Sequence, residues 1–239
     1  MAEHFNDKVV LVAGGTGALG RAVSLAFLGE GARVVVTYRQ AKEFEALRTA
    51  AGERAASLTG EVLDVTDVAA TEALAQTIAR ELGRIDVLVN AVGGYAGGTA
   101  LWETAPAVFE RMLALNLRSG FALARAVVPA MLRQGSGAVV NVASRAAFDH
   151  GAGAAAYAAS KAAAVAMIDS LAADVKGKGV RVNSVVPSIF DTEENRKAMP
   201  GADFARWPKP EAIARVVLFL CSDEGRVIHG ASLPVYGDT

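Results

Sequence analysis

A glycine-rich segment near the start of the chain constrains the fold more than any other part of the sequence. Residues 12–20 read Val-Ala-Gly-Gly-Thr-Gly-Ala-Leu-Gly, and they join a predicted strand at 8–13 to a predicted helix at 18–30. Glycines here allow a tight turn and a close approach of the backbone to a diphosphate, which the N-terminal N–H groups of the helix then bind. The segment therefore predicts a dinucleotide-binding loop, made of Gly14, Gly15, Thr16, Gly17, Ala18, Leu19 and Gly20. Two glycine spacings fit this motif, so the sequence leaves the role of each glycine open.

Strand and helix patterns alternate along the whole chain, which is typical of βαβ units that build a parallel sheet. Seven short runs rich in β-branched residues are predicted strands, at 8–13, 33–37, 61–64, 85–90, 137–143, 180–186 and 231–235. Six stretches with helical periodicity are predicted helices, at 18–30, 41–51, 67–82, 106–133, 154–176 and 210–222. No repeat, linker or change in composition divides the chain. We therefore expect one α/β domain over residues 1–239, with a seven-stranded, mostly parallel sheet.

Composition argues against several classes of protein. The formal net charge is −1 and no run of lysine or arginine occurs, so we expect no nucleic-acid partner. The first residues are polar, and no apolar stretch approaches the roughly 20 residues of a membrane span, so we expect no signal peptide and no membrane partner. Cys221 is the single cysteine, which excludes an intramolecular disulfide and a cysteine-rich metal site. We expect a cytoplasmic protein that binds no metal.

The segments after the second, third and fourth predicted strands carry further candidates for the cofactor site. Tyr38 stands where an acidic residue would bind the adenosine ribose, and Arg39 beside it is suited to a 2′-phosphate. The sequence therefore favours NADP(H) over NAD(H), while a solvated residue at a helix start is the other reading of Arg39. The remaining candidates are Asp64 and Val65, for the adenine, and Asn90, Ala91, Val92 and Gly93, which leave room for a flat cofactor.

A tyrosine and a lysine one helical turn apart form the candidate catalytic pair. Tyr157 and Lys161 fall on the same face of a predicted helix, because they are separated by about one turn. A neighbouring cation favours the phenolate, so we expect Lys161 to lower the pKa of Tyr157 from about 10 toward neutrality, where proton transfer is efficient. Ser144, which comes from a separate segment, is predicted to hold a substrate oxygen beside the phenol.

Two other features are predicted to belong to the same site. Asn116 is an isolated polar residue in a long apolar helix, and a buried amide needs hydrogen-bond partners. It is therefore either a structural brace or part of a proton relay. The segment 187–208 is the one long connection in the chain, and loops of this length commonly cover a binding site. We expect it to cover the substrate, with Pro187 and Ile189 at its start contacting the cofactor.

Together these motifs resemble those of the short-chain dehydrogenases/reductases over nearly the whole chain. The residues that carry the resemblance are the 14–20 loop, Asp64, Asn90-Ala91-x-Gly93, Asn116, Ser144, Tyr157-x-x-x-Lys161, Pro187, Ser222-Asp223, Ile228-His229-Gly230 and Leu233. The resemblance implies a doubly wound Rossmann fold with helices on both faces of the sheet. It also implies a catalytic set of Asn116, Ser144, Tyr157 and Lys161, which acts with NADPH on a small carbonyl or alcohol. The long helices at 106–133 and 154–176 could line a shared interface, and we expect a homo-oligomer, either a dimer or a tetramer.

Two segments narrow the resemblance. Residues 93–100 and 191–207 are similar to the quinonoid dihydropteridine reductases, an NADH-preferring branch. The chain departs from that branch at Tyr95, which replaces tryptophan, at Ser144, which replaces a common alanine, and at Tyr38-Arg39, which replace an aspartate. These departures favour NADPH-dependent reduction of a carbonyl. Pterin reduction and a non-catalytic NADP-sensing regulator are the alternatives.

The substrate is the least defined part of the prediction. Arg145, next to Ser144, is a candidate for reading an acidic group of the substrate. Aromatic side chains are found more often in a core than in a site, but five of them are candidates for a partly aromatic pocket. These are Tyr95, Phe148, Phe190, Phe204 and Trp207.

Overall fold

A seven-stranded sheet forms the centre of the computed structural model, which describes residues 5–239. The strand order is β3-β2-β1-β4-β5-β6-β7, and every neighbouring pair is parallel. The strands are β1 Val9–Ala13, β2 Arg33–Tyr38, β3 Leu58–Val62, β4 Val87–Asn90, β5 Gly137–Val142, β6 Val180–Pro187 and β7 Ser232–Val235. The predicted fold class is confirmed, and the sheet is parallel throughout.

Helices cover both faces of this sheet, as a doubly wound fold requires. They are α1 Ala18–Gly29, α2 Ala41–Ala51, α3 Val68–Leu82, α4 Pro106–Leu113, α5 Ser119–Gln134, α6 Ala155–Val175, α7 Glu193–Ala198 and α8 Pro210–Cys221. Alternate residues of β1 face the two apolar layers, with Val10 packing toward α1 and α8, and Leu11 packing toward α3, α5 and α6. Because both faces are buried, the central strands read as continuous apolar runs.

The third strand lies earlier in the chain than the sequence predicted. It was expected at 61–64 but spans Leu58–Val62, where it pairs with β2 from Val34 to Tyr38. Glycine usually interrupts a strand, but Gly60 lies within this one. Here a Cβ at Gly60 would lie 2.4 Å from the ring of Phe44 in α2, so the glycine allows a close approach of helix to strand.

The long helix predicted at 106–133 is interrupted in the structure. A π-helical turn at Ala114–Arg118 separates α4 from α5, and Asn116 lies in that turn. Insertions of this kind often occur at functional sites, and hydrophobic periodicity does not reveal them because the apolar face continues on both sides. The turn directs a buried amide toward the carboxyl ends of the strands.

The segment after β6 is folded rather than irregular. It contains α7 and a 3₁₀ turn at Phe204–Arg206. Asp191 joins its two ends, since the backbone N–H of Asp191 donates to the carbonyl of Pro208 (2.9 Å) and its carboxylate pairs with Arg196 and Lys209. Within residues 5–239, no helix combines the length and apolar character needed to cross a membrane.

Candidate active site

The predicted site residues come together at one edge of the sheet. The 14–20 loop follows β1, Tyr38 ends β2, Asn90 ends β4, Ser144 follows β5 and Pro187 ends β6. In a parallel sheet these carboxyl ends meet at the same edge. The chain reverses its direction of winding between β1 and β4, and a ligand crevice forms outside such a point.

Three glycines of the 14–20 loop are required by the protein's own packing. Gly14 has φ +70°, and its N–H donates to the Thr37 hydroxyl (3.0 Å). A Cβ at Gly15 would lie 2.5 Å from Val36 Cγ1, and one at Gly20 would lie 2.1 Å from the Gly14 carbonyl oxygen. These three glycines therefore hold the turn between β1, β2 and α1, which resolves the roles that the sequence left open.

Gly17 differs from the other glycines of the loop. A Cβ there would meet only the Gly14 carbonyl oxygen, at an ordinary 3.6 Å. Gly17 is exposed and caps α1 without a side-chain hydrogen bond, so the first N–H groups of the helix are not satisfied by a cap. Open space beside free helix N–H groups fits a diphosphate. The Thr16 side chain beside it donates to Glu43 of α2 (2.9 Å).

The residues predicted for the adenosine half lie along the ends of β2 and β3. Tyr38 stacks on Phe44, with ring centroids 4.8 Å apart and planes within 5°. Arg39 and Asp64 are exposed. The backbone N–H of Thr66, then its hydroxyl, donate to Asp64 and lower the pKa of that carboxyl, and Arg39 adds a smaller electrostatic contribution.

The side chains of Val65 and Asn90 contact the interior of the protein rather than the crevice. Val65 is buried among the side chains on the α3 face, so a cofactor could meet only its backbone. Asn90 donates from Nδ2 to Asn141 Oδ1 (3.0 Å), and its Oδ1 accepts from the N–H of Val92 (3.2 Å). The Ala91 N–H donates to the carbonyl of β1 at Ala13. These bonds fix the course of the 90–92 backbone past the crevice.

Asn116 braces the loop after β4 against α6. Its Oδ1 accepts from the N–H of Gly94, and its Nδ2 donates to the Gly94 carbonyl and to Ser160 Oγ, each at 3.0 Å. The Ser160 hydroxyl in turn donates to the carbonyl of Tyr157 (2.7 Å). A Cβ at Gly93 would lie 2.9 Å from Asn116 Oδ1, so glycine is needed there. Of the two predicted roles, these contacts favour the brace.

Tyr157 and Lys161 lie on one face of α6, as predicted, and Ser144 reaches the phenol. Ser144 is buried beyond the end of β5, accepts from the N–H of Ala146 (3.2 Å) and neighbours the phenol of Tyr157. Lys161 is buried, and its Nζ donates to the carbonyl of Val142 (2.9 Å). Ser144 and Tyr157 are therefore neighbours at the edge of the sheet, and Lys161 lies one helical turn from Tyr157.

The predicted effect of Lys161 on Tyr157 is wrong for this arrangement. Burial raises the pKa of Tyr157; the neighbouring Ser144 hydroxyl lowers it less strongly, and the phenol of Tyr95 adds to the rise. Lys161 directs its ammonium to the strand carbonyl rather than to the phenol. Burial also lowers the pKa of Lys161 to about 8. Helical spacing placed both groups on one face, but it did not reveal where the ammonium points.

The substrate candidates divide into exposed and packed residues. The rings of Tyr95 and Tyr157 meet edge to face with centroids 5.0 Å apart, and Tyr95 and Phe148 are both exposed. Trp207 is buried against Phe204 and belongs to the internal packing of the segment 187–208. Phe190 is half-buried and packs against the core.

The side chain of Arg145 is bound by other residues of the protein. It pairs with Asp149 (3.3 Å), donates to the Thr239 carbonyl (3.1 Å) and lies over the ring of Tyr236. The prediction that it reads an acidic group is therefore not supported.

Sequence reasoning missed three residues that position the site. Ser160 and Asn141 hold Asn116 and Asn90, and Thr37 holds Gly14. A signal existed for each. Ser160 is a polar residue in an alanine-rich helix, Asn141 stands directly opposite Asn90 in the register of β4 and β5, and Thr37 ends an otherwise apolar strand.

Comparisons with known proteins agree with this geometry. The sequence model of the short chain dehydrogenases matches residues 8–202. The D-threitol dehydrogenase of Mycolicibacterium smegmatis is 36% identical, over 98% of this chain and 93% of its own length. The meso-2,3-butanediol dehydrogenase of Serratia marcescens is 34% identical, over 98% of this chain and 95% of its own.

A solved structure extends the agreement to three dimensions. A crystal structure described as a short-chain dehydrogenase/reductase from Burkholderia xenovorans aligns with a TM-score of 0.90. It is 33% identical in sequence and covers 99% of this chain and 97% of its own. A family model that matches most of the chain, together with relatives that match it almost end to end, leaves one assignment: the chain is an oxidoreductase and belongs to the short-chain dehydrogenase family.

Proposed function

We propose that the chain transfers a hydride between NADP(H) and a small alcohol or carbonyl compound. One observation carries this proposal: the phenol of Tyr157 and the hydroxyl of Ser144 are neighbours at the carboxyl edge of the sheet, with the buried Lys161 one helical turn away. Proton donor, oxygen-binding hydroxyl and cation are thus adjacent to the crevice where the dinucleotide loop opens.

The residues have distinct roles in the proposed reaction. The nicotinamide cofactor, when bound, supplies or accepts the hydride. Ser144 holds the substrate oxygen, and Tyr157 gives its phenolic proton to that oxygen during reduction and takes it back during oxidation. Lys161 binds ribose hydroxyls of the cofactor. Asn116 keeps the 93–94 backbone and α6 at a fixed separation.

Small vicinal diols and the matching hydroxyketones are the proposed substrate class. Two of the relatives are named for D-threitol and meso-2,3-butanediol, which both carry neighbouring hydroxyl groups. Arg145, the charged residue next to Ser144, is held by Asp149 and the 236–239 segment rather than directed at a substrate. An uncharged substrate fits this environment. We further propose that the folded segment 187–208 covers it.

The preference for NADPH rests on the end of β2. Tyr38 occupies the position where a carboxylate would bind the ribose, and its ring is held against Phe44. Arg39 is exposed and, among residues 5–239, forms no ion pair, so its guanidinium is available to a 2′-phosphate.

Pterin reduction is the second candidate. The ring of Tyr95 is exposed and meets the ring of Tyr157 edge to face, which gives the site an aromatic wall suited to a flat bicyclic substrate. The resemblance of residues 93–100 and 191–207 to dihydropteridine reductases supports the same candidate.

The deciding experiment compares turnover with cofactor binding in Tyr157→Phe. We expect turnover of vicinal diols with NADP⁺ to fall by about a thousandfold or more, while the Kd for NADPH changes little, because the phenol acts on the substrate. Tyr236→Phe removes a phenolic hydroxyl elsewhere and serves as the matched control. Equal turnover in Tyr157→Phe and Tyr236→Phe would refute the assignment. Turnover of quinonoid dihydropterin well above that of any diol would establish the second candidate, and cofactor binding without any turnover would favour a sensing regulator.

We also propose that the chain forms a homo-oligomer through the α5–α6 surface. An open groove of about 700 Å³ runs between these helices, lined by Phe121, Val128, Met167 and Leu171 among others. Phe121 is half exposed, and the charged residues Glu72, Arg125 and Asp174 also line the groove. A second copy of the same long helices would match this surface in length and polarity. Light scattering on Phe121→Glu should show a smaller species than the parent chain; an unchanged mass would exclude this surface.

A further inference from the structure

A carboxylate from α2 reaches the dinucleotide loop. Glu43 lies in the first turn of α2, and its Oε2 accepts a hydrogen bond of 2.9 Å from the hydroxyl of Thr16. The two residues are 27 positions apart, so this contact ties α2 to the loop between β1 and α1. Glu43 is exposed, and its second carboxylate oxygen remains open to a ligand.

This carboxylate stands at the same corner as the proposed phosphate-binding cation. Arg39 precedes α2 directly, and its guanidinium acts electrostatically on Asp64 at the end of the neighbouring strand. The 14–20 loop contributes neither lysine nor arginine. A 2′-phosphate at this corner would therefore meet the Arg39 guanidinium with the carboxylates of Glu43 and Asp64 nearby.

We infer that Glu43, held by Thr16, is a cofactor-selecting residue that narrows the preference for NADPH over NADH. Its negative charge opposes the 2′-phosphate, and its free oxygen can accept from the 2′-hydroxyl of an unphosphorylated ribose. The carboxylate that is missing from the end of β2 is thus supplied from the first turn of α2. The inference rests on the proposed function, since it assumes that the adenosine ribose lies beside Arg39.

Charge removal at this one position provides the test. Glu43→Gln keeps an oxygen that can accept from Thr16 but removes the charge. Glu45→Gln is the matched control, because Glu45 is in the same helix, is exposed and pairs with Arg48 rather than with the loop. The Kd values for NADPH and NADH are measured on the protein alone by the change in nicotinamide fluorescence, so no substrate is needed.

We expect Glu43→Gln to bind NADPH about threefold to tenfold more tightly at low salt, as removal of one nearby surface charge predicts. NADH should bind no more tightly than to the parent chain. The gain for NADPH should shrink at about 0.5 M salt, because screening weakens exposed charges. Glu45→Gln should change neither Kd. If Glu43→Gln and Glu45→Gln have the same NADPH affinity, the inference is overturned.

A separate variant distinguishes this inference from the proposed site. Arg39→Met should weaken NADPH binding and leave NADH binding nearly unchanged. If Arg39→Met leaves NADPH binding intact, the proposed phosphate site is wrong, whatever Glu43→Gln does. If Arg39→Met lowers the affinity for NADPH and Glu43→Gln does not raise it, the proposed phosphate site is retained and the inferred role of Glu43 is rejected.

Discussion

Asn116 and Gly94 are joined by a reciprocal pair of hydrogen bonds, in which the side-chain amide pairs with the N–H and the carbonyl of the same residue, both at 3.0 Å. The same Nδ2 also donates to Ser160 of α6. A single amide thus connects the loop after β4, the π-helical turn and the helix that carries Tyr157. The position of the phenol relative to the crevice depends on this connection.

Asn116→Leu should lower both stability and turnover. The substitution leaves the N–H and carbonyl of Gly94 without their partner, and a buried unsatisfied group costs about 1–3 kcal/mol. We expect the free energy of unfolding to fall by about 2–4 kcal/mol in urea titrations and kcat to fall more than KM rises.

Ser160→Ala provides the graded comparison for Asn116→Leu. It removes the bond that Asn116 Nδ2 donates to Ser160 and keeps the pairing with Gly94, so about 1 kcal/mol of stability should be lost. A loss in Ser160→Ala as large as that in Asn116→Leu would contradict the assignment of the brace to the Gly94 contacts.

Local patterns predicted the parts of the site that depend on spacing along the chain. The 14–20 loop and the Tyr157–Lys161 pair required only a strand-loop-helix setting and one helical turn. The third strand and the direction of the Lys161 ammonium depend on contacts across the fold. Gly60 fits in a strand only because Phe44 packs above it, and Lys161 turns to the Val142 carbonyl because β5 ends there. Such contacts join residues that are distant in sequence.

Two glycine substitutions should separate packing from ligand binding in the 14–20 loop. Gly20→Ala places a Cβ 2.1 Å from the Gly14 carbonyl oxygen, so the turn must shift, and we expect a Tm several degrees lower, of the order that 1–3 kcal/mol of overpacking produces. Gly17→Ala meets open space and should keep the parent Tm, but its methyl group would obstruct a diphosphate and weaken NADPH binding by about tenfold or more. Thermal melts and fluorescence titrations measure the two effects. Unchanged NADPH affinity in Gly17→Ala would exclude Gly17 from the diphosphate site.

Burial of Lys161 should lower the free energy of unfolding at neutral pH. Burial lowers its pKa from 10.5 to about 8, so between these values the unfolded chain binds more protons than the folded one, and stability rises with pH. Lys161→Met removes the cost, and we expect an inactive protein that is up to about 3 kcal/mol more stable at pH 7. The advantage should shrink as the pH rises from about 8 toward 10.5. Lys178→Met, at an exposed lysine, is the control; the same pH trend in both variants would show that burial of Lys161 is not its cause.

The segment 187–208, called the lid here because it is proposed to cover the substrate, should keep the contacts of Asp191 under mildly acidic conditions. Arg196, followed by Lys209, donates to Asp191 and holds the pKa of that carboxyl well below its usual range. A carboxyl whose pKa is depressed on folding contributes stability above its unfolded pKa of about 4, and this contribution is lost only as the pH falls through the lower folded value. Resistance of the 191–209 segment to limited proteolysis should therefore be the same at pH 7 and at pH 5. Faster cleavage of this segment at pH 5 would show that another titrating group controls the lid.

Asp191→Asn should loosen the lid without altering the chemical step. The side chain of Asp191 is almost fully buried between Arg196 and Lys209, and Arg196 also lies 4.9 Å from the ring centroid of Phe204. Loss of the charge frees both cations, so residues 191–209 should be cleaved faster and KM should rise about tenfold with a smaller change in kcat. Glu193→Gln removes an exposed pair with Lys197 in the same lid, and solvent-exposed pairs of that kind contribute little to stability. If the two variants have the same KM and the same cleavage rate, Asp191 does not hold the lid and its burial serves only the local fold.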